Sequence, residues 1–199
     1  MPKPGKPIEP WQLLRSTYTY RDRWLSLRSD SVRLPNGSTL APYHVIEIPD
    51  WVNVVAISAS GHMLLVEQYR HAVARTILEL PAGHVEPNED FETAARRELK
   101  EETGYGGGTW HALGALHPAG SRFTNQVHAF LAIGVTRIAQ PVEEESEDVR
   151  LHEVPWAEVA AGLRSRTLRL HETNHMSTLL LLHLFASQSS DPAIRRLVL

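Results

Sequence analysis

Four glutamates and one arginine between Gly83 and Gly104 are the residues of this chain best spaced for chemistry: Glu89, Arg97, Glu98, Glu101 and Glu102. The segment from Glu89 to Thr103 reads as a helix that stops at Gly104, a residue suited to a helix terminus. At about 3.6 residues per turn, Glu98 and Glu102 lie roughly 40° apart around the helix axis, with Glu101 beside them. Three like charges on one face repel one another, so a helix left to itself disfavours the arrangement. A hard divalent cation reverses that balance, because Mg²⁺ or Mn²⁺ takes oxygen ligands. The pattern therefore predicts a metal site, and one suited to phosphate. Gly83 lets the preceding loop turn tightly and bring backbone near the ion.

The spacing resembles the Nudix box, G-x5-E-x7-R-E-U-x-E-E-x-G-U with U a bulky apolar residue. Here it runs Gly83, Glu89, Arg97, Glu98, Leu99, Glu101, Glu102, Gly104, and every charged and glycine position agrees. The departure is Tyr105 at the last apolar position, which packs rather than reacts. The resemblance implies an α/β (α+β) protein with the Nudix fold, an α-β-α sandwich around a mixed β-sheet. It implies Mg²⁺, with Mn²⁺ as the alternative, held by Glu98, Glu102, Glu101 and the Ala82 carbonyl. Arg97 would pair with Glu89 or another box carboxylate and orient the ligand helix. The reaction implied is attack of water on one phosphorus of a diphosphate linkage.

Residues around the box resemble the ADP-ribose/ADP-sugar pyrophosphatase branch. Glu67-Gln68-Tyr69-Arg70 is similar to its Q-Y-R strand end, and Glu79-Leu80-Pro81-Ala82-Gly83 to its approach to the box. Arg70 would then contact the diphosphate, which a guanidinium fork suits. His117-Pro118-Ala119-Gly120 matches a proline-glycine loop of the branch, which makes Gly120 a substrate-side residue, although Ser121 to Asn125 extends that loop. The acidic run before Val149 resembles the segment that supplies a catalytic glutamate; Glu147 takes that role first and Glu145 second, as base for the attacking water. In this branch an N-terminal sheet exchanges across a homodimer, and aromatic residues such as Trp24 or Trp51 would stack on the base. Products would be AMP and a sugar phosphate. GDP-mannose, NADH or a dinucleoside polyphosphate are alternative substrates, and a non-catalytic nucleotide-sugar-binding module is the alternative outside enzymes.

The elements that must position these residues follow from pattern. Residues 1–10 are rich in Pro and Lys, whereas Trp24–Leu34 and Thr39–Ile48 read as strands around Pro35-Asn36-Gly37. Trp51–Ser58 and Met63–Tyr69 form a second pair, and Thr76–Leu80 leads into the box loop. Phe91, Ala95 and Leu99, four apart, predict the buried face of the box helix. Strands are expected at Trp110–His117, Gln126–Val135 and Val149–Val154, with Gly106-Gly-Gly108 as a connector. Pro155 marks a helix start and Glu172–Ala186 a last helix. By the resemblance, residues 1–50 would be an N-terminal β segment for dimerisation and base contacts, and residues 51–199 the Nudix hydrolase domain.

The chain has 199 residues, a net charge of −3 and no cysteine. Such a balance gives no basic field for nucleic acid, and there is no disulfide framework or thiolate chemistry. The start lacks the apolar stretch of a signal peptide, and Leu179–Leu182 is too short for a membrane span. A cytoplasmic location is expected. His171-Glu172-Thr173-Asn174-His175 reads as H-E-x-x-H, a zinc-peptidase pattern. With eleven histidines in the chain such a short match arises easily, and no further ligand follows at the expected spacing. It is read as a polar first turn of a helix.

Overall fold

The computed structural model describes residues 7–142 and 148–199. The chain forms two compact units, Met1–Pro49 with Ala119–Asn125, and Asp50–Pro118 with Gln126–Leu199.

The first unit is a three-stranded antiparallel sheet of β1 (Gln12–Arg21), β2 (Ser26–Arg33) and β3 (Thr39–Glu47) in sequence order. A strand ahead of the two expected here, β1, begins at Gln12 because the run Gln12–Arg21 pairs along its length with β2. Trp24 is not in a strand. It sits in the β1–β2 turn, which Asp22 closes by accepting from the amides of Trp24 and Leu25 at 2.7 and 2.9 Å. Gly37 takes φ +85° in the next turn, the left-handed region that glycine tolerates best. Residues 119–125 join this unit because Ile46 exchanges backbone hydrogen bonds with Arg122 and Thr124. All ten residues of β1 are exposed, Leu13, Leu14, Tyr18 and Tyr20 among them.

The second unit is built on a mixed sheet. Its elements are β4 (Trp51–Ser58), β5 (His62–Arg70), β6 (Arg75–Glu79), β7 (Ala82–His84), α1 (Phe91–Thr103), β8 (Tyr105–Gly106), β9 (Thr109–Leu116), β10 (Val127–Arg137), β11 (Val149–Pro155), α2 (Trp156–Ser165), α3 (Thr173–Gln188) and α4 (Pro192–Arg195). The main path is β11-β5-β4-β10-β8, with β6 on β5, β7 on β4 and β9 on β10. The β4–β10 pair is parallel and the others are antiparallel.

Alternation along the central strands fills two cores. Val52, Val54 and Ala56 of β4 pack with Phe130 and Ala132 of β10 against Ala94, Ala95 and Leu99 of α1. Their neighbours Val55, Ile57 and Leu131 face Val159 of α2 and Leu179 and Leu182 of α3. Near-continuous apolar runs in β4 and β10 are what a sheet covered on both faces requires. The α-β-α sandwich expected from the sequence is therefore the observed architecture. One detail of the box helix differs. Phe91 is 39% exposed and Ala94 takes the buried place. Phe91 is the first residue of α1 and stacks its ring on His128 at 3.5 Å, so its apolar contact lies with that imidazole and not in the core.

Candidate active site

The box loop is held by the sheet before the helix begins. β7 pairs with the start of β4, placing Gly83 opposite Val52 and Ala82 opposite Asn53, and the Val54 amide donates to the Pro81 carbonyl at 2.9 Å. Beyond β7, Val85 donates to the Asp50 carbonyl at 2.9 Å. Asp90 then caps α1 by accepting from the Thr93 amide at 3.0 Å, satisfying one of the orphan donors of the first turn. At the far end Gly104 takes φ +75° and donates to Lys100, and a side chain there would lie 2.4 Å from the Ala139 carbonyl. The two glycines of the box thus serve different purposes. Gly104 allows a left-handed cap, whereas Gly83 makes room: a Cβ on it would sit 2.0 Å from Cδ of Glu98.

Arg97 is the hub of the charge cluster. Its Nε and Nη2 donate to the two oxygens of Glu89 at 2.9 and 3.0 Å, and Nη1 reaches Glu98 at 2.8 Å and Glu101 at 2.9 Å. A further Nη2 bond, 2.9 Å, ends on the His84 carbonyl and ties the helix to the box loop. The hydrogen bond from Arg97 holds the Glu89 carboxyl below the usual range against a smaller desolvation effect. The same contacts raise the arginine's own pKa, the Glu89 bond foremost. Glu102 accepts from the Ala82 amide at 3.0 Å, so it too is anchored to the loop.

Three carboxylates share one guanidinium and a fourth, Glu102, stands on the Ala82 amide, leaving surplus negative charge beside a loop cleared of side-chain atoms at Gly83. That donor set suits a hard divalent cation. Glu98, Glu102, Glu101 and the Ala82 carbonyl are the groups available to hold it. Glu145 and Glu147 lie outside the described residues.

The remaining expected contacts fall on both units. Trp24 is 59% exposed in the first unit, with the Arg23 guanidinium 4.4 Å from its ring centroid. Gly120 is in the segment that joins that unit. Trp51 opens β4 in the second unit, its ring edge-on to His84 at 4.2 Å. Arg70, at the end of β5, forks onto Glu79, with Nη2 2.8 Å from Oε2 and Nε 3.0 Å from Oε1.

Glu79 was given no role by sequence reasoning. It is fully buried and also accepts from Gln68 at 3.0 Å. Burial pushes its carboxyl up, but His175 and Arg70 outweigh that and bring it below the ordinary value. A signal did exist: Ile77 and Glu79 are two apart on a strand, so a glutamate shares the inward face of β6 and demands a cationic partner.

A match to the NUDIX domain spans residues 49–172. The chain belongs to the Nudix family. Residues 11–46 match the nucleoside diphosphate sugar hydrolase N-terminal domain. The chain is 33% identical over 143 residues to an ADP-ribose pyrophosphatase of Bacillus subtilis, covering 71% of this chain and 77% of that one. Identity to the ADP-ribose pyrophosphatase of Mycobacterium tuberculosis is 35% over 137 residues, 68% and 66% of the two chains. The fold is shared with the crystal structure of an ADP compounds hydrolase, with a TM-score of 0.79, 24% identity and coverage of 92% of this chain and 97% of that one. This Nudix protein is accordingly a pyrophosphohydrolase of the ADP-ribose pyrophosphatase-like type. Among the described residues, no helix is long and apolar enough to cross a membrane.

Proposed function

We propose that this Nudix hydrolase uses Mg²⁺ to split the diphosphate of ADP-ribose or a related nucleoside diphosphate sugar. Water adds to one phosphorus and the P–O–P bond breaks, giving AMP and a sugar phosphate such as ribose 5-phosphate. The observation that carries the reading is the box itself, with Glu98 set against Gly83, Glu102 anchored on Ala82 and Arg97 drawing Glu89, Glu98 and Glu101 together.

The ion, when bound, neutralises the diphosphate and acidifies a water. Glu98 and Glu102 hold it, with Glu101 and the Ala82 carbonyl completing the set, and Arg97 keeps the ligand helix in register with the loop. Arg70 binds the diphosphate. Its bonds to buried Glu79 fix the guanidinium plane, and a preset fork loses less entropy on binding. Trp24 or Trp51 stacks on the base, Gly120 lets backbone approach the substrate, and Glu147, or Glu145, takes the proton of the attacking water. The exposed apolar side chains of β1 favour a homodimer through the N-terminal strands, since a pairing strand with Leu13, Leu14 and Tyr20 in water is costly. We place the work in the cytoplasm, with no nucleic-acid or membrane partner.

The test is phosphate release, coupled to a phosphatase, with Mg²⁺ across ADP-ribose, ADP-glucose, GDP-mannose, NADH and diadenosine polyphosphates. ADP-ribose is expected to be turned over best, and Glu102→Gln to lose at least about 10²-fold in rate. Turnover confined to another substrate discards the ADP-ribose reading and keeps the box chemistry. Binding without turnover makes the protein a nucleotide-sugar-binding module.

A further inference from the structure

The H-E-x-x-H segment lies outside the box, and the fold brings it to Glu79, the carboxylate that holds Arg70. Glu172 is the N-cap of α3 and His175 lies one turn into it, so their side chains meet on one face. Glu79, the last residue of β6, comes up against them. The His175 Nε2 is 3.8 Å from Glu79 Oε1 and 3.7 Å from Glu172 Oε2, and the three ligand atoms all lie within 4.8 Å of one another. His171, the first histidine of the motif, is not in the group. We infer that Glu79, Glu172 and His175 form a second divalent-cation site, separate from the box, for an ion of the Zn²⁺ type.

The histidine carries the argument. His175 is 1% exposed, and neither ring nitrogen has a hydrogen-bond partner among the described residues. A buried polar atom left unpaired costs about 1–3 kcal/mol, so native proteins rarely tolerate two on one ring. At 3.7–3.8 Å the carboxylates are too far for hydrogen bonds. They are well placed as fellow ligands: the two carboxylate oxygens stand 3.8 and 3.7 Å from Nε2, and the ligand atoms all within 4.8 Å of one another leave room for one ion between them.

Charge and ligand type agree. Oε2 of Glu79 is occupied by Gln68 and by Arg70 Nη2, whereas Oε1, the oxygen nearer His175, takes only Arg70 Nε at 3.0 Å among the described residues and keeps a second lone pair. With His175 neutral, as a metal ligand must be, two carboxylates face one guanidinium and one negative charge is left for a cation to balance. Imidazole with carboxylate favours Zn²⁺ and its transition-metal neighbours over Mg²⁺. Glu172, with its side chain 41% exposed, leaves an open side for water as a fourth ligand and for the ion to enter.

The inference is tested without turnover. Chelator-stripped full-length protein carrying Glu98→Gln and Glu102→Gln, which disables the box, is titrated with Co²⁺ alone and followed by visible absorbance. One saturable equivalent is expected, displaced by Zn²⁺ and weakened at least tenfold by adding Glu172→Gln or His175→Gln. Glu172 makes no capping hydrogen bond, so its variant keeps the fold, which circular dichroism checks. Absence of saturable binding, or binding indifferent to Glu172→Gln, overturns the site; the second result marks adventitious surface histidines. Failure of the pyrophosphohydrolase reading shows separately, as no turnover with Mg²⁺.

Discussion

Gly83→Ala separates the need for room from the need for backbone freedom. Gly83 lacks the positive φ of Gly37 or Gly104, so alanine meets no backbone strain there. Its Cβ, however, would stand 2.0 Å from Glu98 Cδ and 2.1 and 2.3 Å from the two carboxylate oxygens. Ordinary carbon contacts are about 3.5–4.0 Å, so the carboxylate must retreat by roughly 1.5–2 Å. A displacement of about 1 Å at a reacting centre can cost about 10²-fold, equal to about 2.7 kcal/mol of barrier. The expected result is a loss of at least that size in kcat/KM for the best diphosphate substrate, with the melting temperature changed by only a few degrees. Gly37→Ala is the control, because its Cβ meets nothing within 4 Å while its φ is +85°. It is expected to lose about 1–2 kcal/mol of stability and no activity. Steady-state kinetics and thermal melts on the three proteins decide the matter. Full activity in Gly83→Ala would refute the claim that Glu98 is positioned by the missing side chain.

Arg97→Lys keeps the charge but not the fork, so the paired bonds to Glu89 and the bond to the His84 carbonyl cannot all survive. A loss of about 1–3 kcal/mol is expected, seen as a melting temperature lower by about 3–10 °C. Asp90→Ala removes the helix cap and is expected to cost about 1 kcal/mol by denaturant titration, leaving KM unchanged. Stability should also fall in acid, in two stages. Burial lowers the pKa of His84 and His128, so their neutral forms are favoured in the fold. The unfolded chain binds more protons as pH falls below about 6.5, and stability drops through their folded values. Glu79 and Glu89, also lowered, add a second loss below about pH 4.3, as each contributes stability only while ionised. Chemical denaturation at intervals from pH 8 down to about pH 2 reads both, and a flat profile between pH 7 and 5 would count against the histidine stage.

The box was legible because its spacing is local. Seven charged or glycine positions lie on one loop and one helix, where helical geometry alone brings Glu98, Glu101 and Glu102 to one face. The same holds for β4 and β10, whose apolar runs announce a sheet covered on both sides. Local pattern was weaker at element ends: it missed the start of β1 at Gln12, the two-residue β8, and the exposure of Phe91, each decided by what lies opposite. Gly83 read as a turn-former, yet its close neighbour is a carboxylate fifteen residues on, a contact no sequence window contains. Only the tertiary structure joins Glu79 to Arg70, Gln68 and His175, across as many as ninety-six positions. Spacing within an element follows from the chain's own periodicity, whereas convergence between elements depends on how strands pair and helices pack over them, which short-range pattern does not encode.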